Sequence, residues 1–254
     1  MSQDLIMRAE EATLNAWPAP SQILLDGWVL RFADGHTKRA NSVNPIRAGV
    51  RRDLRDKVRA CDALFLKNRI EPCFRLPPFA EAGVEDALDA EGYGPAHDVT
   101  RVVWRPLDAP PGAWDAELIE GPPSDEWLDA KDRLQQDGPQ EAAGRRRILK
   151  GAVLPGAFAG VRGDDGQLVS LAYGAVSDGM LVLNMVVTDP RQRGRRLAER
   201  ACGALLAWGQ ARGDVDGACL QVVAANDSGN ALYRRLGFDT ELYRYHYRTR
   251  PVAA

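Results

Sequence analysis

Arg191, Arg193, Arg195 and Arg196 crowd around Gly194, at the point where an apolar run ending near Thr188 gives way to a long amphipathic stretch. A turn that opens a helix points unbonded backbone N–H groups outward, and the helix dipole adds positive potential there. Glycine lets a ligand approach the backbone closely. Four guanidinium groups add counter-charge, so the segment suits a diphosphate. It lacks GxxxxGK[ST], so it is no nucleotide-hydrolysing P-loop, and it lacks the three-glycine dinucleotide pattern. Taken alone, the same arginines also fit a solvated helix start.

A second group lies about thirty residues on: Asn226, Tyr233 and the pair Gly237-Phe238. A phenol has a pKa of about 10, so Tyr233 could serve as a proton donor. The alternative for Tyr233 is a ring packed on an apolar helix face with its hydroxyl satisfied. No carboxylate lies in the apolar run 181–187, where Asn184 is the polar side chain, and Gln221 is the polar residue of the next run. Neither amide can serve as a base, so no general base is named.

Periodicity supplies the elements that must hold these groups. Residues 156–161, 168–176 and 180–187 read as three antiparallel strands with turns at Asp164-Asp165-Gly166 and Asp178-Gly179. A helix over 194–211 follows, with Leu197, Ala201, Leu205 and Trp208 on one face. Strand 218–223, helix 228–236 and strand 240–248 complete this half, and helices at 124–134 and 139–148 precede it. Earlier, residues 5–14 read as a helix ended by Pro18. Asp34-Gly35 reads as a hairpin turn between strands 28–33 and 37–43. Helix 53–66, strand 72–76, helix 81–91 and strand 99–104 follow. The proline- and glycine-rich stretch 108–123 marks a change of domain, giving domains 1–112 and 113–254.

Thirty-three basic against thirty-five acidic residues leave a formal net charge of -2. That balance argues against a protein whose task is to neutralise a nucleic-acid backbone. There is no basic start followed by an apolar run and no stretch of about twenty apolar residues, which predicts a cytoplasmic protein without a membrane partner. Four scattered cysteines and three scattered histidines predict buried reduced thiols and no metal site.

With these residues in view, the stretch 114–248 resembles the GCN5-related N-acetyltransferase superfamily. Arg193, Gly194, Arg195, Arg196, Leu197 and Ala198 correspond to its acyl-CoA signature, with Arg196 where the middle glycine usually stands. Asn226, Ala231, Leu232, Tyr233, Gly237 and Phe238 resemble its later Asn…Ala…Leu-Tyr…Gly-Phe segment. The resemblance implies an α+β fold of tandem acetyltransferase-like domains, with mixed sheets flanked by helices. It implies acetyl-CoA as co-substrate, with Val186, Val187 and Thr188 on the pantetheine arm and Asn226 beside it. It makes Tyr233 the acid, and a primary amine on a small molecule, peptide or protein the acceptor. The alternative is an acyl-CoA-binding or regulatory module without turnover.

The first half is similar to a bacterial subgroup with a degenerate N-terminal domain, through residues 14–19, 27–31 and 35–45 and through Glu91-Gly92-Tyr93. Trp28, Arg31 and Asn41 of that half, with Asn184 and Gln221, are candidate acceptor-binding residues. Packing for Trp28 and an ion pair for Arg31 are the competing readings. A monomer and a homodimer both fit.

Overall fold

The computed structural model describes residues 2–108 and 113–250. In chain order the elements are α1 (Gln3–Asn15), β1 (Ser21–Leu25), β2 (Trp28–Phe32), β3 (Val43–Asn44), α2 (Leu54–Lys67), β4 (Cys73–Leu76), α3 (Val84–Ala90) and β5 (His97–Pro106). Then follow β6 (Glu117–Glu120), α4 (Asp125–Gln135), α5 (Pro139–Lys150), β7 (Gly156–Arg162), β8 (Leu168–Ser177) and β9 (Met180–Thr188). The last are α6 (Leu197–Ala211), β10 (Gly217–Val223), α7 (Asp227–Arg235) and β11 (Thr240–Thr249). No helix among the described residues is long and apolar enough to cross a membrane.

These elements form two compact units. The first takes its described residues from Met1–Trp17, Arg101–Val222 and Asn226–Leu242; the second takes them from Pro18–Thr100, Val223–Ala225 and Tyr243–Ala254. The compositional boundary at 112/113 falls at residues 109–112, outside the described residues, and a division there remains a proposal.

In the first unit the strands run β5-β10-β9-β8-β7-β6. β6 to β9 form the expected antiparallel meander, and β10 joins β9 in parallel, so the sheet is mixed. Alternation along the strands sends Ala157, Ala159, Ala172, Leu181 and Leu183 to one face, where they meet Leu197, Ala201 and Leu205 of α6. Burying such a face at about 25 cal/mol per Å² of apolar surface is what holds α6, and with it the turn before α6, against the sheet. α1 belongs here too: Arg8 donates to Asp216 at 2.9 Å and to the Asp178 carbonyl at 3.0 Å.

In the second unit β1, β2, β3, β4 and the 243–249 part of β11 lie side by side, with β3 and β4 parallel. Trp28, Leu30, Phe74, Val58 and Phe65 form its core. The hairpin differs from the expected one. It joins β1 to β2 through Asp26-Gly27, both at positive φ (45° and 91°), with Leu25 opposite Trp28. Asp34-Gly35 also has positive φ, but residues 37–43 are not a strand: Lys38–Ala40 form a short 3-10 turn and β3 is two residues long. The cause is Asn41. Its amide oxygen accepts from Ala33 N–H (2.7 Å) and Gly35 N–H (3.0 Å), and its nitrogen donates to the His36 (2.7 Å) and Thr37 (3.0 Å) carbonyls. A side chain that serves four backbone groups displaces the ladder.

Asp26 has a comparable task at the start of α2. Its buried carboxylate accepts from the N–H groups of Val50 (3.1 Å), Arg51 (3.1 Å) and Arg52 (3.0 Å). Those bonds, that of Val50 foremost, hold its pKa down at about 2. A depressed carboxylate contributes stability above its unfolded pKa of about 4 and loses it as pH falls towards 2. Thermal melts across pH should therefore show Asp26→Ala lower than the parent by roughly 5 °C at pH 7, with the gap closing between about pH 4 and 2. An equal gap at pH 2 would contradict the assignment.

Candidate active site

β9 carries an irregularity that alternation does not reveal. Tyr173 of β8 is in register with Asn184 and Leu171 with Val187, so one residue too many lies on β9. Met185 absorbs it with φ at 58°. Such a bulge bends its strand and turns backbone groups away from the ladder. On the other side, the parallel ladder to β10 ends at Leu183 and Leu220, with residues 184–188 of β9 still to run.

At the end of β9 the buried Asp189 organises the turn. Its carboxylate accepts from Arg191 N–H (2.9 Å) and is clamped by the Arg191 guanidinium (2.8 Å). That guanidinium holds the Asp189 carboxyl down at about 2. Arg191 is thus committed to Asp189 rather than free for an external anion. Arg195 donates to Gln192 and lies 3.5 Å from Asp164. Arg193 forms no ion pair with any described residue.

Gly194 follows at φ 81°, and a Cβ there would meet nothing within 4 Å. Arg196 takes φ 56° and ψ 24°, the left-handed conformation that glycine adopts without strain, and no side chain caps the helix it opens. The first helical bond runs from Arg200 N–H to the Arg196 carbonyl at 3.1 Å. The N–H groups of Leu197, Ala198 and Glu199 therefore have no acceptor among the described residues. α1, α2, α4 and α7 are capped by Ser2, Asp53, Ser124 and Asn226, whereas α3 and α5, like α6, have no side-chain cap.

These parts share one cleft of about 660 Å³. Val186, Val187 and Thr188 form one wall, the turn and α6 supply Arg193, Gly194, Arg196, Leu197 and Ala198, and α7 supplies Asn226 and Tyr233. A sequence profile of the family described as "Probable histone acetyltransferase Rv0428c C-terminal" matches residues 5–249. The chain belongs to this family. As an N-acyltransferase of the GCN5-related type it is 26% identical to the "Uncharacterized N-acetyltransferase YobR" of Bacillus subtilis (strain 168), over 96% of this chain and 98% of that protein. The fold matches a GCN5-related N-acetyltransferase from Kribbella flavida with a TM-score of 0.70 and 16% identity, covering 98% of this chain and 95% of that one. A tandem GNAT protein from the clavulanic acid biosynthesis pathway matches with a TM-score of 0.61 and 17% identity, over 77% and 69% of the respective chains. The tandem acetyltransferase-like, α+β architecture expected from the sequence is the one found.

In this acetyltransferase the cleft gathers the sequence candidates unevenly. All the cofactor candidates line it except Arg195. Asn226 caps α7 by accepting from Gly229 N–H at 3.0 Å. Tyr233 is half-buried, edge-on to Phe238 with ring centres 6.2 Å apart. Asn184 is buried just before the bulge and Gln221 half-buried just past the ladder; neither lines the cleft. Trp28, Arg31 and Asn41 belong to the second unit. There the Trp28 indole donates to Glu81 (2.6 Å) under the Lys57 ammonium, the buried Arg31 donates to the Arg39 carbonyl (2.9 Å), and Asn41 is spent on its turn.

The cleft also holds residues that sequence reasoning missed. Glu199 of α6 accepts from Arg235 of α7 at 3.2 Å and lies 4.0 Å from Arg196. An acidic residue in a helix's first turn was the available signal for Glu199; its pairing with Arg235, thirty-six positions away, left none. Gln192, Ser228 and Leu134 line the cleft as well.

The Arg196 backbone yields a test. A left-handed non-glycine residue costs about 1 kcal/mol or more, while its exposed side chain has little ion-pair energy to lose. Arg196→Gly should therefore melt about 2–4 °C higher than the parent in a thermal-shift assay. A lower melting temperature would contradict the strain assigned to this position.

Proposed function

We propose that the protein transfers an acetyl group from acetyl-CoA to a primary amine of a small molecule, peptide or protein. One observation carries the reading: a strand bulge, a ladder that ends early and an uncapped helix start all face one cleft.

The residues present fit such a donor. The N–H groups of Leu197, Ala198 and Glu199, with Gly194 and the unpaired Arg193, make a nest for a diphosphate. Arg196 keeps the backbone in the shape a glycine would give, so its substitution removes no N–H from the nest. Val186, Val187 and Thr188 offer backbone groups to the amides of a pantetheine arm, and the Asn226 amide nitrogen has no partner among the described residues. Acetyl-CoA would supply the acyl thioester.

The protein's own contribution is then orientation and proton delivery. An amine that arrives neutral attacks the carbonyl carbon, and a backbone N–H near the bulge stabilises the charge that grows on the carbonyl oxygen. As the C–S bond breaks, Tyr233 donates its hydroxyl proton to the sulfur. The amine loses its extra proton to water, since β9 carries no carboxylate, and the Tyr233 phenolate regains a proton from water.

Tyr233→Phe should lower kcat by about 10² or more, followed by thiol release, while the acetyl-CoA affinity measured by calorimetry stays within about twofold. Equal turnover would remove the acid role from Tyr233. Tight binding without thiol release by the parent, across amines and pH, would instead favour a non-catalytic binding module.

A further inference from the structure

Tyr233 borders two spaces. It lines the acyl cleft, and it also lines a smaller cavity of about 60 Å³ shared with Arg101 and Val103 of β5, Val222 of β10, and Asn230 of α7. Alternation along β5 puts Arg101 and Val103 on one face, which is how both reach it. The cavity has room for at least one water, which occupies about 30 Å³ in the liquid, and its polar lining offers such a water partners. Arg234 and Asp239, which also line it, are exposed and set it at the protein surface.

Arg101 is held there on two sides. Its Nε donates to Glu241 of β11 (2.5 Å) and its Nη1 to the Asn230 amide oxygen (2.5 Å). Its Nη2 has no partner among the described residues. Asn230 stands three residues before Tyr233 on α7, and residues so spaced lie on the same side of a helix. The guanidinium is thus fastened to the side of α7 that carries the phenol, and both line the same small space.

An acid that gives up its proton becomes an anion, and a fixed cation nearby favours that anion. The proton must also be replaced. With coenzyme A in the cleft, the small cavity gives the phenolate a second approach to water that the ligand does not fill. The balance closes: Tyr233 gives its proton to the sulfur, the phenolate takes one from a cavity water, and the hydroxide left behind meets the proton shed by the amine.

We propose that Arg101 is a positioning residue for this acid: it holds a water in the small cavity against Tyr233, favours the phenolate as the thiolate departs, and lets that water return the proton. The inference rests on the acid role given to Tyr233 above. It also assigns work to the first half of the chain. β5 precedes the proline-rich stretch 108–123, yet its residues from Arg101 onward fall in the unit that holds the cleft.

The first test reads ionisation without any acceptor. In the full chain labelled with [13Cζ]tyrosine, the resonance missing from Tyr233→Phe identifies Tyr233, and its pH titration should lie about half a unit or more higher in Arg101→Gln than in the parent. Arg101→Lys, which keeps the charge, should titrate near the parent. Superimposable curves for the parent and Arg101→Gln would overturn the proposal.

The second test follows thiol release from acetyl-CoA with ethylamine, tyramine and a lysine-containing peptide, using the amine turned over fastest. Arg101→Gln should lower kcat about tenfold, with acetyl-CoA affinity by calorimetry within about twofold of the parent, and Arg101→Lys should recover most of the loss. In a Tyr233→Phe background the same Arg101→Gln change should cost nothing further, because the two residues act as one unit. A tenfold loss in that background too would make Arg101 a structural ion pair and overturn the proposal. Parent-like kcat in Arg101→Gln beside a deficient Tyr233→Phe would overturn this inference alone. Full turnover by Tyr233→Phe, or no thiol release by the parent with any of the amines, would defeat the acid reading and the inference with it.

Discussion

The proposed acyl-CoA cleft depends on a helix start that no side chain caps. α6 begins at Arg196 with no side-chain cap, and its first N–H groups face a cleft rather than an internal acceptor. Unsatisfied donors at a helix N-terminus favour an anion, and the dipole of a fifteen-residue helix reinforces the preference. Much of the surrounding structure can be traced to keeping those groups available. Asp189 locks Arg191 and shapes the turn, Met185 bulges so that β9 leaves its ladder, and α6 is fastened by a buried face against β7, β8 and β9.

The second unit meets the same physical problem with the opposite solution. The loop before α2 also presents successive N–H groups, those of Val50, Arg51 and Arg52, but the carboxylate of Asp26 occupies them and Asp53 caps the helix. Close packing makes room for this: a Cβ on Gly49 would come within 2.5 Å of Asp26, and one on Gly27 within 2.5 Å of the Arg47 carbonyl. An anion supplied from within satisfies that nest. Both units have a strand-turn-helix passage, and an internal carboxylate closes the one before α2 while no side chain caps the one before α6.

Much of this was legible in the sequence because it rests on local chemistry. Gly194 among arginines, the Asn226-to-Phe238 segment and the periodicity of 197–208 mark the turn, the neighbouring helix and the apolar face, and each lies where those signals place it. What was hidden depends on partners distant in sequence. The bulge at Met185 is visible only against the register of β8, and the pairing of Glu199 with Arg235 only once α6 and α7 are neighbours. Two Asp-Gly pairs competed for one hairpin, and Asn41 decided between them through hydrogen bonds that no propensity records. Counting arginines also overstated the free charge at the turn, because Arg191 and Arg195 have internal partners.

The central claim concerns the backbone amides at the start of α6, and amide-resolved NMR addresses them directly. Titration with coenzyme A should shift the resonances of Gly194, Leu197, Ala198 and Glu199 most strongly, whereas pantetheine, which lacks the diphosphate, should leave them near their free positions and perturb Val186 to Thr188 and Asn226. Equal shifts of the α6 amides by both ligands, or no shift there with coenzyme A at saturation, would contradict the account.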